Sequence, residues 1–214
     1  MTDLARTRAA YDKAAVDYAG MLKEALAEAP LERALLGTFA ELVQAGGGGR
    51  VADVGCGPGR ITTYLDKLGL DVRGVDLSPG MVEVARGLYP AIPFEVGTMT
   101  DLAFGDGSLA GLVAWYSAIH TPPERLPLVF AEFARVLRPG GHLLMAFQAP
   151  IEGDFEHRRI EQAYGHALDL DAYRLPPDRI TDLLAAAGIE VTTRVVRRPD
   201  ATEKSPQAYL LAVR

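Results

Sequence analysis

Val51-Ala52-Asp53-Val54-Gly55-Cys56-Gly57-Pro58-Gly59 decides the reading of this chain. An apolar, β-branched run breaks into three alternating glycines, and the sequence that follows is helical. Glycines at a strand-to-helix turn let the backbone turn tightly and approach a ligand, with helix N-terminal N–H groups facing it. The next apolar run, Asp71-Val72-Arg73-Gly74-Val75-Asp76, ends on an acid placed to accept from both hydroxyls of a ribose. Together these features predict an adenosine-type ligand at the carboxyl edge of a sheet. The spacing G-x-G-x-G puts Arg60 where a dinucleotide fingerprint wants its third glycine, and no G-x-x-x-x-G-K-[ST] is present. Asp53, two residues before the first glycine, suits a cationic or zwitterionic group better than a pyrophosphate.

Outward from this loop the pattern alternates. Strands are expected at about 50–54, 71–76, 92–96, 110–115 and 141–147, and helices at about 59–68, 79–87 and 123–137. Short turns between them imply right-handed crossovers and a parallel sheet covered on both faces. Pro139-Gly140-Gly141 reads as the tight turn that launches the fifth strand. A helix at 178–187 ends at Gly188, and strands at 189–197 and 207–213 follow. Residues 4–45 are rich in Ala, Leu and Glu and read as two helices, the second starting at Pro30. Residues 148–175 break the rhythm with a polar insertion.

The organisation expected is one domain, 1–214: an N-terminal helical lid (1–45), a core (50–148), an insertion (149–175) and a C-terminal helix with strands (176–214). With 49% hydrophobic residues a core is assured, and disorder is excluded. A net charge of −6 and the lack of a basic stripe weigh against nucleic-acid or anionic-membrane partners. The single cysteine, Cys56, allows no intramolecular disulfide. The first twenty residues lack the basic-then-apolar pattern of a signal peptide, so a cytoplasmic location is expected.

The motif resembles that of the class I S-adenosylmethionine-dependent methyltransferases, in the small-molecule branch that includes the ubiquinone and menaquinone biosynthesis enzymes. The resemblance rests on 53–59, on Gly74-Val75-Asp76-Leu77-Ser78-Pro79-Gly80-Met81, on 97–104 and on Arg135-Val136-Leu137-Arg138-Pro139-Gly140-Gly141. It implies an α/β Rossmann-like fold: a seven-stranded, mostly parallel sheet with the last strand antiparallel and helices on both faces. It implies S-adenosylmethionine as cofactor, S-adenosylhomocysteine as product, and methyl transfer to a small molecule, O- or N-methylation before C-methylation.

By the same resemblance Gly55, Cys56 and Gly57 line the methionine moiety and Asp53 reaches its amino group. Asp76 holds the ribose, Leu77 lies on the adenine face, and Thr98 and Met99 take the adenine edge. Ala114 and Trp115 meet the methionine end through their backbones. Tyr11 and Tyr18, seven apart on one helical face, either close over the cofactor or pack the first helix.

His120, in the segment after the fourth strand, is the candidate general base, with a structural loop-capping role as the other reading. Tyr116, His157 and Tyr164 are candidate acceptor contacts; the alternative for the insertion is a solvated amphipathic helix. His157, His166, Asp169 and Asp171 meet no established metal-ligand spacing, so no metal is expected. A monomer or homodimer is expected. Two other functions stay open: an S-adenosylmethionine-binding protein without transferase activity, and a nicotinamide oxidoreductase.

Overall fold

The computed structural model describes residues 3–214. Two helices lead: α1 (Asp3–Met21) and α2 (Pro30–Ala45), with Pro30 at the first turn as the sequence implies. The sheet then assembles from β1 (Arg50–Val54), β2 (Asp71–Asp76), β3 (Phe94–Val96), β4 (Leu109–Trp115) and β5 (Leu137–Gln148). These five strands are mutually parallel, crossed over by α3 (Arg60–Lys67), α4 (Pro79–Leu88) and α5 (Leu126–Val136). The last elements of the chain are α6 (Pro177–Ala186), β8 (Glu190–Arg197) and β9 (Gln207–Val213). The order is β3-β2-β1-β4-β5-β9-β8, with β9 antiparallel to both neighbours. This is the expected seven-stranded sheet.

Side-chain alternation explains why helices must cover both faces. Leu143, Met145 and Phe147 of β5 join Phe130 and Phe133 of α5 in one buried cluster. The intervening Leu144 and Ala146 face the other way, against Leu36 and Phe39 of α2 and Ile61 and Leu65 of α3. All seven residues of β4 are buried, as a central strand requires. Strand order reverses between β1 and β4, and the crevice at that switch point is where open α/β sheets place ligands.

Two expectations are corrected. Pro139-Gly140-Gly141 is no turn ahead of the fifth strand; it lies within β5, which begins at Leu137 paired with Leu109. Gly140 takes φ +75° and donates its N–H to the Arg214 carbonyl at 2.7 Å, while a Cβ on Gly141 would meet the Arg138 carbonyl at 2.9 Å. The register shift between Leu109 and Gly111 marks this as a bulge.

The second correction concerns the insertion, which forms no helix. It is an antiparallel hairpin of β6 (Glu156–Ala163) and β7 (His166–Arg174), turning at Tyr164-Gly165 with φ of +54° and +79°. Two positive-φ residues between paired strands give the tight turn that matches strand twist.

Hairpin and α1 lock together. Arg6 pairs with Asp171 at 2.6 Å, Lys13 Nζ donates to the Ala167 carbonyl at 2.8 Å, and His166 Nε2 meets Asp17 Oδ2 at 2.8 Å. At its other side α1 is tied to the start of α4. Asp12 Oδ1 accepts from Ser78 Oγ at 2.5 Å and from the Gly80 amide at 2.9 Å, a carboxylate at a helix N-terminus. Ser78 itself caps α4 through the Met81 amide.

Candidate active site

One cavity lies at the switch point, floored by the carboxyl ends of β1, β2 and β4 and bordered by α1. Gly55 and Gly57 of the loop, Asp76 and Leu77 after β2, Thr98 and Met99, and Trp115 and Tyr116 after β4 all line it. Tyr11, Tyr18 and His120 line it too. Residues far apart in the chain thus share a single wall.

The glycine loop takes its shape from backbone chemistry. Gly55, Gly57 and Gly59 have φ of +76°, +54° and +87°, the left-handed region where a side chain is strained. A Cβ on Gly57 would meet only the Tyr18 ring, at 3.8 Å. Asp76 lies beside this loop, its two oxygens accepting from the Gly57 amide at 2.7 Å and the Ser78 amide at 2.8 Å. Burial raises its pKa, and those two amides oppose the rise.

Asp53 is fully buried beneath the loop. Thr62 Oγ1 donates to its Oδ2 at 2.6 Å, and its Oδ1 has no partner. Desolvation pushes its pKa up to about 7 against the pull of Thr62. Cys56 points out of the site: its sulfur packs with Val82, Ala85 and Phe94, and burial raises its thiol pKa. Ala114 alternates to the opposite face and lies in the core with Phe130 and Met145.

His120 has a defined tautomer. Its Nδ1 is 2.8 Å from the Asp171 carbonyl, which only accepts, so Nδ1 carries the proton. Nε2 is then bare and accepts from the Tyr11 hydroxyl at 2.7 Å. Burial lowers the His120 pKa below 6.5, partly offset by the Asp171 carbonyl, which keeps the ring neutral near pH 7. The Tyr11 ring also stands edge-on to His120 and to Tyr18, at 5.3 and 5.9 Å between centroids.

Of the candidate acceptor contacts, only Tyr116 lines the cavity. It sits at φ +53°, and its hydroxyl lies 3.2 Å from that of Tyr209, which donates to Glu32 at 3.0 Å. Tyr164 is not on the cavity wall but packs on Tyr18 at 4.8 Å and stands beside Tyr11. His157 is on the exposed hairpin, paired with Asp171 at 2.7 Å, and does not reach the cavity.

Sequence reasoning missed several lining residues. Leu4 and Thr7 continue the Tyr11–Tyr18 stripe at helical spacing, a signal available in the sequence. Ser117 lines the cavity and donates to the Val54 carbonyl at 2.7 Å, and Arg125 lines it too. Among the described residues no group of His, Cys, Asp and Glu is placed to hold a metal ion, and no helix is long and apolar enough to cross a membrane.

Comparison with known proteins gives this geometry its relatives. Residues 51–141 match the family described as methyltransferase domain. An O-methyltransferase of Penicillium expansum is 40% identical over 106 residues, 46% of this chain and 38% of the relative. A demethylmenaquinone methyltransferase of Renibacterium salmoninarum is 36% identical over 111 residues, 50% of this chain and 45% of the relative. Among solved structures, magnesium protoporphyrin IX methyltransferase from Synechocystis superposes with a TM-score of 0.72 at 18% identity, covering 100% of this chain and 98% of that one.

Residues 51–141 carry a match to a methyltransferase domain, and the chain has the Rossmann-like fold of the solved methyltransferases it superposes on. The matched stretches span 38% and 45% of those two relatives' own lengths.

Proposed function

We propose that this protein transfers a methyl group from S-adenosylmethionine to an oxygen or nitrogen of a small-molecule acceptor. The observation that carries the reading is the shared cavity. The glycine loop and Asp76 stand at one end, and the Tyr11–His120 pair borders the same space. The residues present fit the cofactor: Asp53 Oδ1 is a buried acceptor without a partner, and Gly57 leaves its flank open toward the cavity.

In this reading Gly55 and Gly57 hold the amino-acid end with Asp53 beneath, and Asp76 holds the ribose hydroxyls. Leu77, Thr98 and Met99 surround the base, and Trp115 lies at the methionine end. The bound cofactor supplies an electrophilic methyl on a sulfonium. The chain supplies alignment and a proton acceptor. As the acceptor's hydroxyl or ammonium loses its proton to Tyr11 Oη, Tyr11 passes its own to His120 Nε2. The product is an imidazolium held by the Asp171 carbonyl. The side chains of Cys56 and His157 have no direct part, since they face elsewhere.

Calorimetry with S-adenosylmethionine and NADH side by side tests the cofactor. S-adenosylmethionine is expected to bind and NADH to fail; tighter NADH binding sinks the reading. Asp76→Ala should weaken S-adenosylmethionine binding by about 1–3 kcal/mol, the range for a hydrogen bond to a charged group. Unchanged affinity would show that the ribose site lies elsewhere. Cofactor binding without methyl transfer across a broad acceptor panel would favour a binding protein over an enzyme.

A further inference from the structure

Arg125 lines the cavity from the short turn that follows His120. Leu4, Thr7, Thr121, Pro122 and Val129, which are apolar or neutral, line the same cavity, as does Asp3. The guanidinium makes no side-chain hydrogen bond or ion pair with any described residue.

Every other charge on the cavity wall is matched. Asp3 pairs with Arg6 at 2.6 Å. Asp76 is held by two amides at the cofactor end. His120 is neutral with both nitrogens engaged. One unmatched cation therefore faces a mostly apolar space. A guanidinium so placed is weakly hydrated and presents a planar fork that fits a carboxylate with two parallel hydrogen bonds.

We infer that Arg125 anchors the methyl acceptor, and that the acceptor is a small, largely apolar molecule bearing a carboxylate. This rests on the methyl-transfer reading for the identity of the site. The carboxylate sits at Arg125, the apolar body lies along Leu4, Pro122 and Val129, and the nucleophilic atom reaches toward Tyr11 and His120. All of these residues line one space.

The test uses the whole chain saturated with S-adenosylhomocysteine. Three acid–ester pairs are titrated by calorimetry: 4-hydroxybenzoate, 4-hydroxyphenylacetate and indole-3-acetate, each against its methyl ester. At least one acid is expected to bind about 10–100-fold tighter than its ester. Arg125→Gln should erase that difference while the affinity for S-adenosylhomocysteine and the melting temperature stay unchanged.

Equal binding of acids and esters, no binding by any of the three acids, or a preference that survives Arg125→Gln each overturns the inference. The methyl-transfer reading fails separately, through absence of S-adenosylhomocysteine binding to the wild-type chain.

Discussion

Gly55→Ala is expected to destabilise the fold by about 2–5 kcal/mol and to abolish cofactor binding. Two costs combine. A side chain at φ +76° carries the left-handed penalty of about 1–2 kcal/mol. The new Cβ would also fall 2.2 Å from Ser117 Cβ and 2.9 Å from its Oγ, where nothing fits without movement. Ser117 cannot simply turn aside, because its hydroxyl is bonded to the Val54 carbonyl. Forcing atoms into a filled site adds about 1–3 kcal/mol. Gly47→Ala supplies the control: at φ +93° it shares the backbone penalty, but its Cβ would meet nothing within 4 Å. Denaturation of both variants, with calorimetry for the cofactor, separates strain from overlap. Equal losses in the two would show that the contact with Ser117 is unimportant.

His120→Ala is expected to lower turnover by about 10²–10⁴-fold with cofactor affinity retained, the span usual for removing a general base. Tyr11→Phe should fall in the same direction, since the ring stays but the bridging hydroxyl is lost. The pH profile adds a sign. The working form of His120 is neutral, and burial holds its pKa below 6.5. Activity should therefore be flat above pH 6.5 and fall only as pH drops through that lower value. The limb should vanish in His120→Ala.

Stability has the same direction. As pH falls below 6.5 the unfolded chain takes up its proton before the folded one does, so this group's contribution is lost toward acid. Undiminished turnover at saturating substrates would remove His120 as the base.

The parts of this site that local chemistry dictates were legible in the chain. Gly55, Gly57 and Asp76 could be read because a strand-to-helix turn and a strand end constrain their own neighbourhoods. The seven strands followed from alternation of apolar runs with helical ones. What escaped depends on contacts distant in sequence. Tyr11 and His120 are 109 residues apart, so nothing local announces their hydrogen bond.

Cys56 belongs to the loop in sequence, but a one-residue change of direction turns its sulfur into the core beside Phe94. The hairpin was obscured because its turn is Tyr164-Gly165, not an Asn-Gly pair. Yet burial alternates along β7, with Leu170, Ala172 and Arg174 buried between half-buried neighbours. Pro139-Gly140-Gly141 has turn composition, and only its pairing with Leu109 and the chain end shows a bulge.

The roof over the cavity is α1, backed by the β6–β7 hairpin, and these two stretches lie on either side of the matched residues 51–141. Tyr11 belongs to that roof, while His120 belongs to the floor's own loop. The carbonyl that fixes the histidine tautomer comes from Asp171, in the hairpin behind that roof. The hydrogen-bonded Tyr11–His120 pair is thus divided between two structural halves, and the histidine has both its partners only where both press against it. A chain in which α1 and the hairpin stood apart from the sheet would keep its glycine loop intact and hold an imidazole with neither its hydroxyl partner nor its tautomer defined.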